Sequence, residues 1–119
     1  MQNYKDLIVW QKAHKMVLNV YQLSKKMPKE ETYGLISQLR RCAVSVPANL
    51  AEGSGKNTSK DTANFFQISL GSLHETEYYI LLSKDLQYIT EEEYNLTNQI
   101  INEVKAMLIS LIKKVRLGV

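Results

Sequence analysis

The spacing of the apolar residues constrains the fold of this chain more than any other sequence feature. Four segments carry apolar residues every three or four positions, and short breaks containing Pro, Gly or polar residues separate them. This spacing places the apolar side chains along one face of an α-helix. No segment shows the sustained alternation of a half-buried strand. The spacing therefore predicts four helices, at about 6–26, 31–53, 59–87 and 91–116.

Residues suited to helix starts support these boundaries. Asp6 is a suitable N-cap for the first helix, because its carboxylate can accept a hydrogen bond from a free backbone N–H. Thr58 is followed three residues later by Asp61, and Thr90 by Glu93, the spacing of a capping box. The third and fourth helices are thus predicted to begin directly after Thr58 and Thr90.

Pro47 lies inside the second apolar pattern. A proline in a helix interior removes one backbone hydrogen bond and clashes with the preceding turn, at a cost of about 3 kcal/mol. Residues 48–52 nevertheless have a helical pattern, and Gly53 is a suitable residue just past a helix end. We therefore expect one continuous second helix that is kinked at Pro47 and ends at about Gly53.

The connections between the four segments are short, which makes sequential helices antiparallel neighbours. The sequence thus predicts an all-α protein with a single domain over 1–119, an antiparallel up-down-up-down four-helix bundle. The first helix has a wide apolar face, and the third has two apolar stripes. One bundle core covers about one stripe per helix, so the extra apolar surface predicts a homo-oligomer.

Composition limits where such a chain can work. No apolar run approaches the roughly 20 residues of a membrane span, and the first residues lack the apolar core of a signal peptide. Cys42 is the single cysteine, so no internal disulfide can form, and its apolar neighbours predict a small core residue. We expect a soluble, cytoplasmic protein with no membrane contact.

The sequence offers no recognisable catalytic apparatus. His14 and His74 have no partner at metal-ligand spacing. The run Gly53–Lys56 is similar to the end of a phosphate-binding P-loop, but Leu50 and Asn57 stand where that loop needs Gly and Ser or Thr. We therefore expect no enzyme activity, no metal, no cofactor and no small-molecule substrate.

Polar residues form a stripe along the second predicted helix and continue on the third. The set comprises Gln38, Arg41, Ser45, Asn49 and Glu52, bordered by Arg40, with Ser72 and Glu75 on the third helix. Glu75 shares its stripe with apolar residues, and burying a lone carboxylate is expensive, so we predict that it pairs with Arg40 or Arg41. The stripe is interpreted as an interhelical polar network or a subunit interface. The alternative is contact with nucleic acid through the arginines.

The charges divide unequally along the chain. Residues 1–60 contain ten Lys or Arg and four Asp or Glu, whereas residues 61–119 contain five and eight. If the two halves occupied different faces, one face would be basic and could attract phosphates. Arg40, Arg41, Lys56 and Lys60 are the candidate nucleic-acid contacts on such a face. The simpler interpretation is that the first two helices have solvated lysine faces.

The chain resembles the four-helix-bundle family encoded by intervening sequences inside bacterial large-subunit ribosomal RNA genes. The matching segments are Asp6–Leu7, Val9–Ala13, Pro28, the run Gln38–Gly53, and Gly71–Leu73 with Glu75. The likeness extends from about Tyr4 to Arg116. Cys42 stands where the family more usually has Ala.

The resemblance implies a bundle that assembles into a homopentameric ring. The family is related to the accessory variability protein of diversity-generating retroelements, which resembles a basic pentamer that binds nucleic acid and a reverse transcriptase. We therefore expect a non-catalytic homo-oligomer that binds RNA or DNA, or a nucleoprotein partner, through a basic face. A purely structural or adaptor oligomer without nucleic-acid binding is the alternative, since fold analogy does not decide function.

Overall fold

Four α-helices make up most of the chain in the computed structural model, which describes residues 3–118. They are α1 (Ile8–Ser24), α2 (Leu35–Ser54), α3 (Ser59–Asp85) and α4 (Glu91–Arg116). Short 3-10 helices at Tyr4–Asp6 and Lys29–Glu31 precede α1 and α2, and the described residues contain no strand. No described helix has an apolar stretch long enough to cross a membrane. The all-α class and the four helices are confirmed.

Threonine caps begin α3 and α4 as predicted. The Thr58 hydroxyl accepts a hydrogen bond from the backbone N–H of Asp61 at 3.1 Å. At Thr90 the capping box is complete, because the hydroxyl accepts from the Glu93 N–H at 3.0 Å and the Glu93 carboxylate accepts from the Thr90 N–H at 2.9 Å. Two backbone donors that the helix itself cannot pair are thereby satisfied.

The first two helices begin later than predicted. Asp6 lies in a 3-10 helix and caps nothing, and the extended residue Leu7 precedes α1 without a side-chain cap. α2 begins at Leu35 because Lys29–Glu31 form their own 3-10 turn. Glu31 still serves the start of α2, since its carboxylate accepts a hydrogen bond from the Leu35 N–H at 3.3 Å.

α2 continues through Pro47, and the residues after it remain helical to Ser54, which confirms the predicted continuity. The prediction that Gly53 lies just past the helix end was wrong. Gly53 is buried within α2, and a Cβ atom there would lie 2.8 Å from the ring of Phe66 in α3. Glycine is therefore needed at this position for close helix approach, and Gly55 caps the helix instead.

The helices enclose one apolar core. Each helix contacts the next in the chain, and α4 contacts α1, so the four helices close on one another. Residues that are completely buried come from all four helices: Met16, Val20, Leu39, Val46, Leu50, Leu73, Ile80, Ile101, Val104 and Leu108. α2 and α3 form the most extensive helix pair.

Small hydroxyl residues allow α3 to pack closely on α2. Ser69, Thr76 and Ser83 recur every seven residues on the buried face of α3 and are fully buried. Ser69 donates to the carbonyl of Val46 in α2 at 2.7 Å, while Thr76 and Ser83 donate to carbonyls within α3. With their donors satisfied, these side chains fill the space beside α2 without the bulk of leucine.

A methyl group at Gly53 is expected to destabilise the bundle. Gly53→Ala forces the buried Phe66 ring to move, and overpacking of this kind typically costs about 1–3 kcal/mol. The matched control is Gly55→Ala, whose added Cβ would lie 3.5 Å from its nearest neighbour. Urea unfolding should show a lower free energy of unfolding for Gly53→Ala only. Equal stability of both variants would contradict the close approach.

The pairing of Lys26 with Glu93 predicts a pH dependence of stability. Lys26, together with the capping hydrogen bonds at Thr90, holds the pKa of Glu93 below its ordinary value of 4.5. On acidification the Glu93 carboxylate therefore takes up a proton at a higher pH in the unfolded chain than in the folded chain. The stability that ionised Glu93 contributes is complete above about pH 4.5 and is lost as the pH falls through the folded pKa. Glu93→Gln retains an oxygen acceptor for the cap but removes the charge.

We expect the free energy of unfolding to fall less steeply for Glu93→Gln than for the parent between about pH 5 and pH 3. The control is Glu92→Gln, because Glu92 is exposed and forms no ion pair among the described residues. Urea titrations at a series of pH values measure this difference. Parallel pH profiles for parent and Glu93→Gln would show that Lys26 does not act on Glu93.

Candidate nucleic-acid interface and polar groove

A shallow groove of about 250 Å³ runs between α2 and α3 and is called here the polar groove. It is lined by Gln38, Arg41, Cys42, Ser45, Ser72 and Glu75. The structure thus brings five of the predicted polar residues together, since only Cys42 of this lining was not in the polar set. The remaining three, Arg40, Asn49 and Glu52, do not line it.

Serine and asparagine side chains form a hydrogen-bonded group beneath the groove. The hydroxyls of Ser45 in α2 and Ser72 in α3 lie 2.8 Å apart. The Asn49 amide donates to the hydroxyl of Ser45 at 2.9 Å and to its backbone carbonyl at 2.8 Å. The Ser45–Ser72 contact joins α2 to α3 through uncharged groups, and Asn49 holds Ser45 from within α2.

The prediction that Glu75 forms an ion pair with Arg40 or Arg41 of the same chain was wrong. No ion pair among the described residues includes Glu75, whose carboxylate accepts only a 3.3 Å hydrogen bond from the Tyr79 hydroxyl. α3 turns Glu75 toward solvent, so water replaces the cation that burial would require. The apolar neighbours that suggested burial are themselves partly exposed, and Ile68 is 52% exposed.

Arg40 faces α1 and lies outside the polar groove. Its Nε donates to the hydroxyl of buried Ser24 at 2.7 Å, and its guanidinium carbon lies 4.7 Å from the centre of the Tyr21 ring. A cation over an aromatic face is attracted by the ring quadrupole. Arg40 therefore connects α1 to α2, whereas Arg41 is exposed on the groove.

Lys56 and Lys60, the predicted nucleic-acid contacts after the end of α2, differ in whether a carboxylate pairs with them. Lys56 lies 3.2 Å from the carboxylate of Glu52 and 4.8 Å from the centre of the Phe65 ring. Lys60 is exposed in the first turn of α3 and forms no ion pair among the described residues. Lys60 is thus the better placed of the two for a phosphate.

Lysines and arginines collect at one end of the bundle, called here the basic end. Its charged residues are Lys5, Lys56, Lys60, Lys113, Lys114 and Arg116, with Asp6, Glu52 and Asp61. Contacts place them together: Arg116 donates to Gln67 of α3 at 3.1 Å, and Lys114 lines a cleft with Leu7 and Ile8. Six cations against three anions leave the basic end with a balance of +3.

The opposite end of the bundle is acidic. Glu30, Glu31, Asp85 and Glu91–Glu93 accompany Lys25, Lys26, Lys29 and Lys84 there, a balance of −2. The Lys26–Glu93 pair and the 2.8 Å hydrogen bond from the Tyr88 hydroxyl to Glu31 connect the helix termini at this end. The two sets of helix ends thus carry opposite net charge, and each set contains residues from both halves of the sequence.

One exposed surface of α3 carries apolar side chains and one carboxylate around a glycine, and is called here the α3 ridge: Ile68, Gly71, Glu75 and Tyr78. These residues have helical spacing, and Ile68 and Tyr78 are 52% and 56% exposed. No atom lies within 4 Å of the position where Gly71 would carry a Cβ. A glycine inside a helix costs about 0.5–1 kcal/mol relative to alanine, and no contact among the described residues offsets that cost here.

Groups able to perform chemistry are sparse in the described part of the chain. Burial raises the pKa of the Cys42 thiol, which donates to the Leu39 carbonyl at 3.3 Å. A thiol with a raised pKa is a poor nucleophile at neutral pH. Residues 3–118 contain no group of three or more His, Cys, Asp or Glu side chains arranged to hold a metal ion.

The two arginines are expected to differ in their effect on stability. Arg40→Ala removes the hydrogen bond to Ser24 and the contact with the Tyr21 ring, so the free energy of unfolding should fall by about 1–2 kcal/mol. Arg41→Ala removes an exposed charge and should change it by less than about 0.5 kcal/mol. Urea unfolding followed by circular dichroism gives both values. Equal losses would mean that Arg40 does not connect α1 to α2.

Comparison with known proteins adds to this description. The family model for the 23S rRNA-intervening sequence protein matches residues 5–110. A crystal structure of a Bacteroides thetaiotaomicron VPI-5482 protein with unknown function, from the S23 ribosomal protein family, superposes with a TM-score of 0.83 at 30% identity. That match covers 89% of this chain and 99% of the other. No curated protein matches the chain.

Proposed function

Since the chain belongs to the 23S rRNA-intervening sequence protein family, we propose that it is a non-catalytic homo-oligomeric bundle that binds nucleic acid, or a nucleoprotein partner, through its basic end. The observation that carries this proposal is the separation of charge along the bundle. Lys60, Lys113, Lys114 and Arg116 are exposed at one end, and none forms an ion pair among the described residues. Such cations displace the counterions of a phosphate backbone.

The basic end offers cations to the phosphates of either RNA or DNA. The family name refers to a sequence that intervenes in 23S rRNA and does not by itself favour RNA over DNA. Lysine and arginine contacts with phosphates fix the position of a nucleic acid but do not read its sequence. Binding should therefore depend strongly on salt and weakly on sequence.

Self-association is part of the proposal. Ile8 and Leu18 on α1, and Ile68 and Tyr78 on α3, are each more than half exposed. Apolar side chains gathered on a surface favour association, because their burial removes them from water. A ring of five subunits is favoured by the family resemblance. Repeating the basic end around a ring would also multiply the phosphate contacts.

We infer that the four helices run up-down-up-down and that α2 is kinked at Pro47. Contacts between helices support the antiparallel order. Lys12 pairs with Glu103, whereas Lys26, later in α1, pairs with the earlier Glu93 of α4. In this order the start of α1, the end of α4 and the connection between α2 and α3 lie at the same end of the bundle, which is the basic end.

An adaptor oligomer that binds only protein is the alternative function. The exposed apolar side chains favour it, because they suit a protein surface better than a phosphate backbone. Salt separates the two functions: phosphate binding weakens steeply as salt rises, whereas an apolar protein contact does not.

Removing charge from the basic end should weaken RNA binding and its salt dependence. We expect Lys113→Gln/Lys114→Gln to lower the affinity for a single-stranded RNA. The slope of log K against log salt should decrease by roughly 1.4, because each phosphate contact contributes about 0.7. The matched control is Lys25→Gln/Lys29→Gln at the acidic end, which should retain the parent slope. Fluorescence anisotropy titrations at several salt concentrations measure both. An equal loss in both double variants would refute a binding site at the basic end.

A further inference from the structure

We propose that an unpaired base of a single-stranded nucleic acid stacks on the ring of His14, in a cleft between α1 and α2. This cleft, called here the aromatic cleft, has a volume of about 340 Å³ and is lined by the rings of Tyr4, Trp10 and His14 and by small and apolar side chains of α1 and α2. The inference rests on the proposed function, because the base belongs to the strand whose phosphates the basic end binds.

Three aromatic rings follow one another at the start of α1. The Tyr4 ring meets the Trp10 ring edge-on, with the ring centres 5.1 Å apart and the planes at 69°. The Trp10 and His14 rings are parallel to within 4°, again with their centres 5.1 Å apart. Tyr4 and Trp10 are partly buried, whereas His14 is exposed. The run of rings thus ends at His14, whose second face is open to one further planar ring.

Small side chains of α2 leave room beside these rings. Ala48 and Ala51 line the aromatic cleft, and Pro47, which also lines it, is buried within α2. A base has two apolar faces, so its transfer from water to a surface of this kind is favourable. Stacking of bases on aromatic side chains is also tolerant of sequence, because every base has a π face. The aromatic cleft therefore suits a nucleobase without selecting one of the four.

The charges beside the aromatic cleft favour a nucleic acid over an apolar segment of a protein. α1 contains no Asp or Glu, and α2 contains none before Glu52, which pairs with Lys56 at 3.2 Å. Lys5 and Lys15 directly follow two of the stacked rings in the sequence. Both are exposed, and neither forms an ion pair among the described residues. Phosphates next to the stacked base would thus meet free cations.

The aromatic cleft also continues the basic end. Lys5 belongs to the basic end, and its ammonium group lies 5.9 Å from the centre of the Tyr4 ring. Asp6 is the single carboxylate of the 3-10 helix that holds both residues. A strand bound by its phosphates at the basic end therefore reaches the rings. Only an unpaired strand can use them, because the bases of a duplex are already stacked on one another.

The emission of Trp10, the only tryptophan of the chain, reports a base in the aromatic cleft. An oligodeoxythymidylate of about ten nucleotides, a length within the usual site size, should change this emission on binding at low salt. An abasic strand of the same length carries the same phosphates without bases. It should bind about five- to a hundredfold more weakly, the factor that one stacked base typically contributes, and should leave the emission unchanged. Fluorescence anisotropy of labelled strands gives both affinities.

Variants of His14 test the stacked ring itself. His14→Ala removes an exposed side chain, so the subunit should remain folded, as circular dichroism can verify. Its affinity for the oligothymidylate should fall by at least about fivefold, while its affinity for the abasic strand should equal that of the parent. His14→Phe keeps a ring and should keep the oligothymidylate affinity. The matched control is His74→Ala, because His74 is exposed in α3 and stacks on no ring among the described residues.

Failure of the stacked base and failure of the proposed function give different results. If neither the oligothymidylate nor an oligouridylate binds at low salt, the proposed nucleic-acid binding falls, and this inference with it. Equal affinities of the parent for the base-bearing and abasic strands would overturn this inference alone. An unchanged oligothymidylate affinity of His14→Ala, or an equal loss in His74→Ala, would overturn it as well.

Discussion

The close contact of α2 with α3 is the constraint on which the rest of the molecule depends. Gly53 lies against the Phe66 ring, and fully buried Ser69, Thr76 and Ser83 occupy positions where larger side chains would hold the helices apart. Their hydroxyls donate to carbonyls, so burying them leaves no donor unsatisfied. This close contact brings Ser45 within 2.8 Å of Ser72 and forms the base of the polar groove.

The up-down-up-down order that we infer would convert a linear charge pattern into a polarised molecule. The sequence halves carry opposite net charge, yet each end of the bundle receives residues from both halves. Lysines from the α2–α3 connection meet those at the end of α4, while the three glutamates that begin α4 lie at the other end. The glutamates also lie at the positive end of the α4 dipole. The same charges therefore stabilise the helix and make this end of the molecule negative.

The sequence predicts the helices well because local rules decide them. Thr90 and Glu93 form their predicted capping box, which needs only contacts within four residues. Predictions that depend on neighbouring helices were less accurate. The apolar pattern does not reveal Ser69, Thr76 and Ser83 as core residues, although their spacing of seven is visible in the sequence. The sequence around Gly53 is typical of a helix end, but in the structure Gly53 packs against Phe66 inside α2. The sequence around Glu75 suggests a buried residue, but Glu75 is exposed to solvent.

The candidate site was predicted only in part, because the direction of its side chains depends on neighbouring helices. Helical spacing brings Gln38, Arg41 and Ser45 to one face, but it does not show whether a side chain faces α1, as Arg40 does, or solvent. We propose that the basic end binds nucleic acid and that the subunits associate with one another. The most direct measurement is the mass of the protein with a short single-stranded RNA, by light scattering at low and high salt. We expect an oligomer of unchanged subunit number at both salt concentrations, with RNA bound only at low salt. A protein of 13.7 kDa at both salts, or RNA binding that persists at high salt, would contradict it.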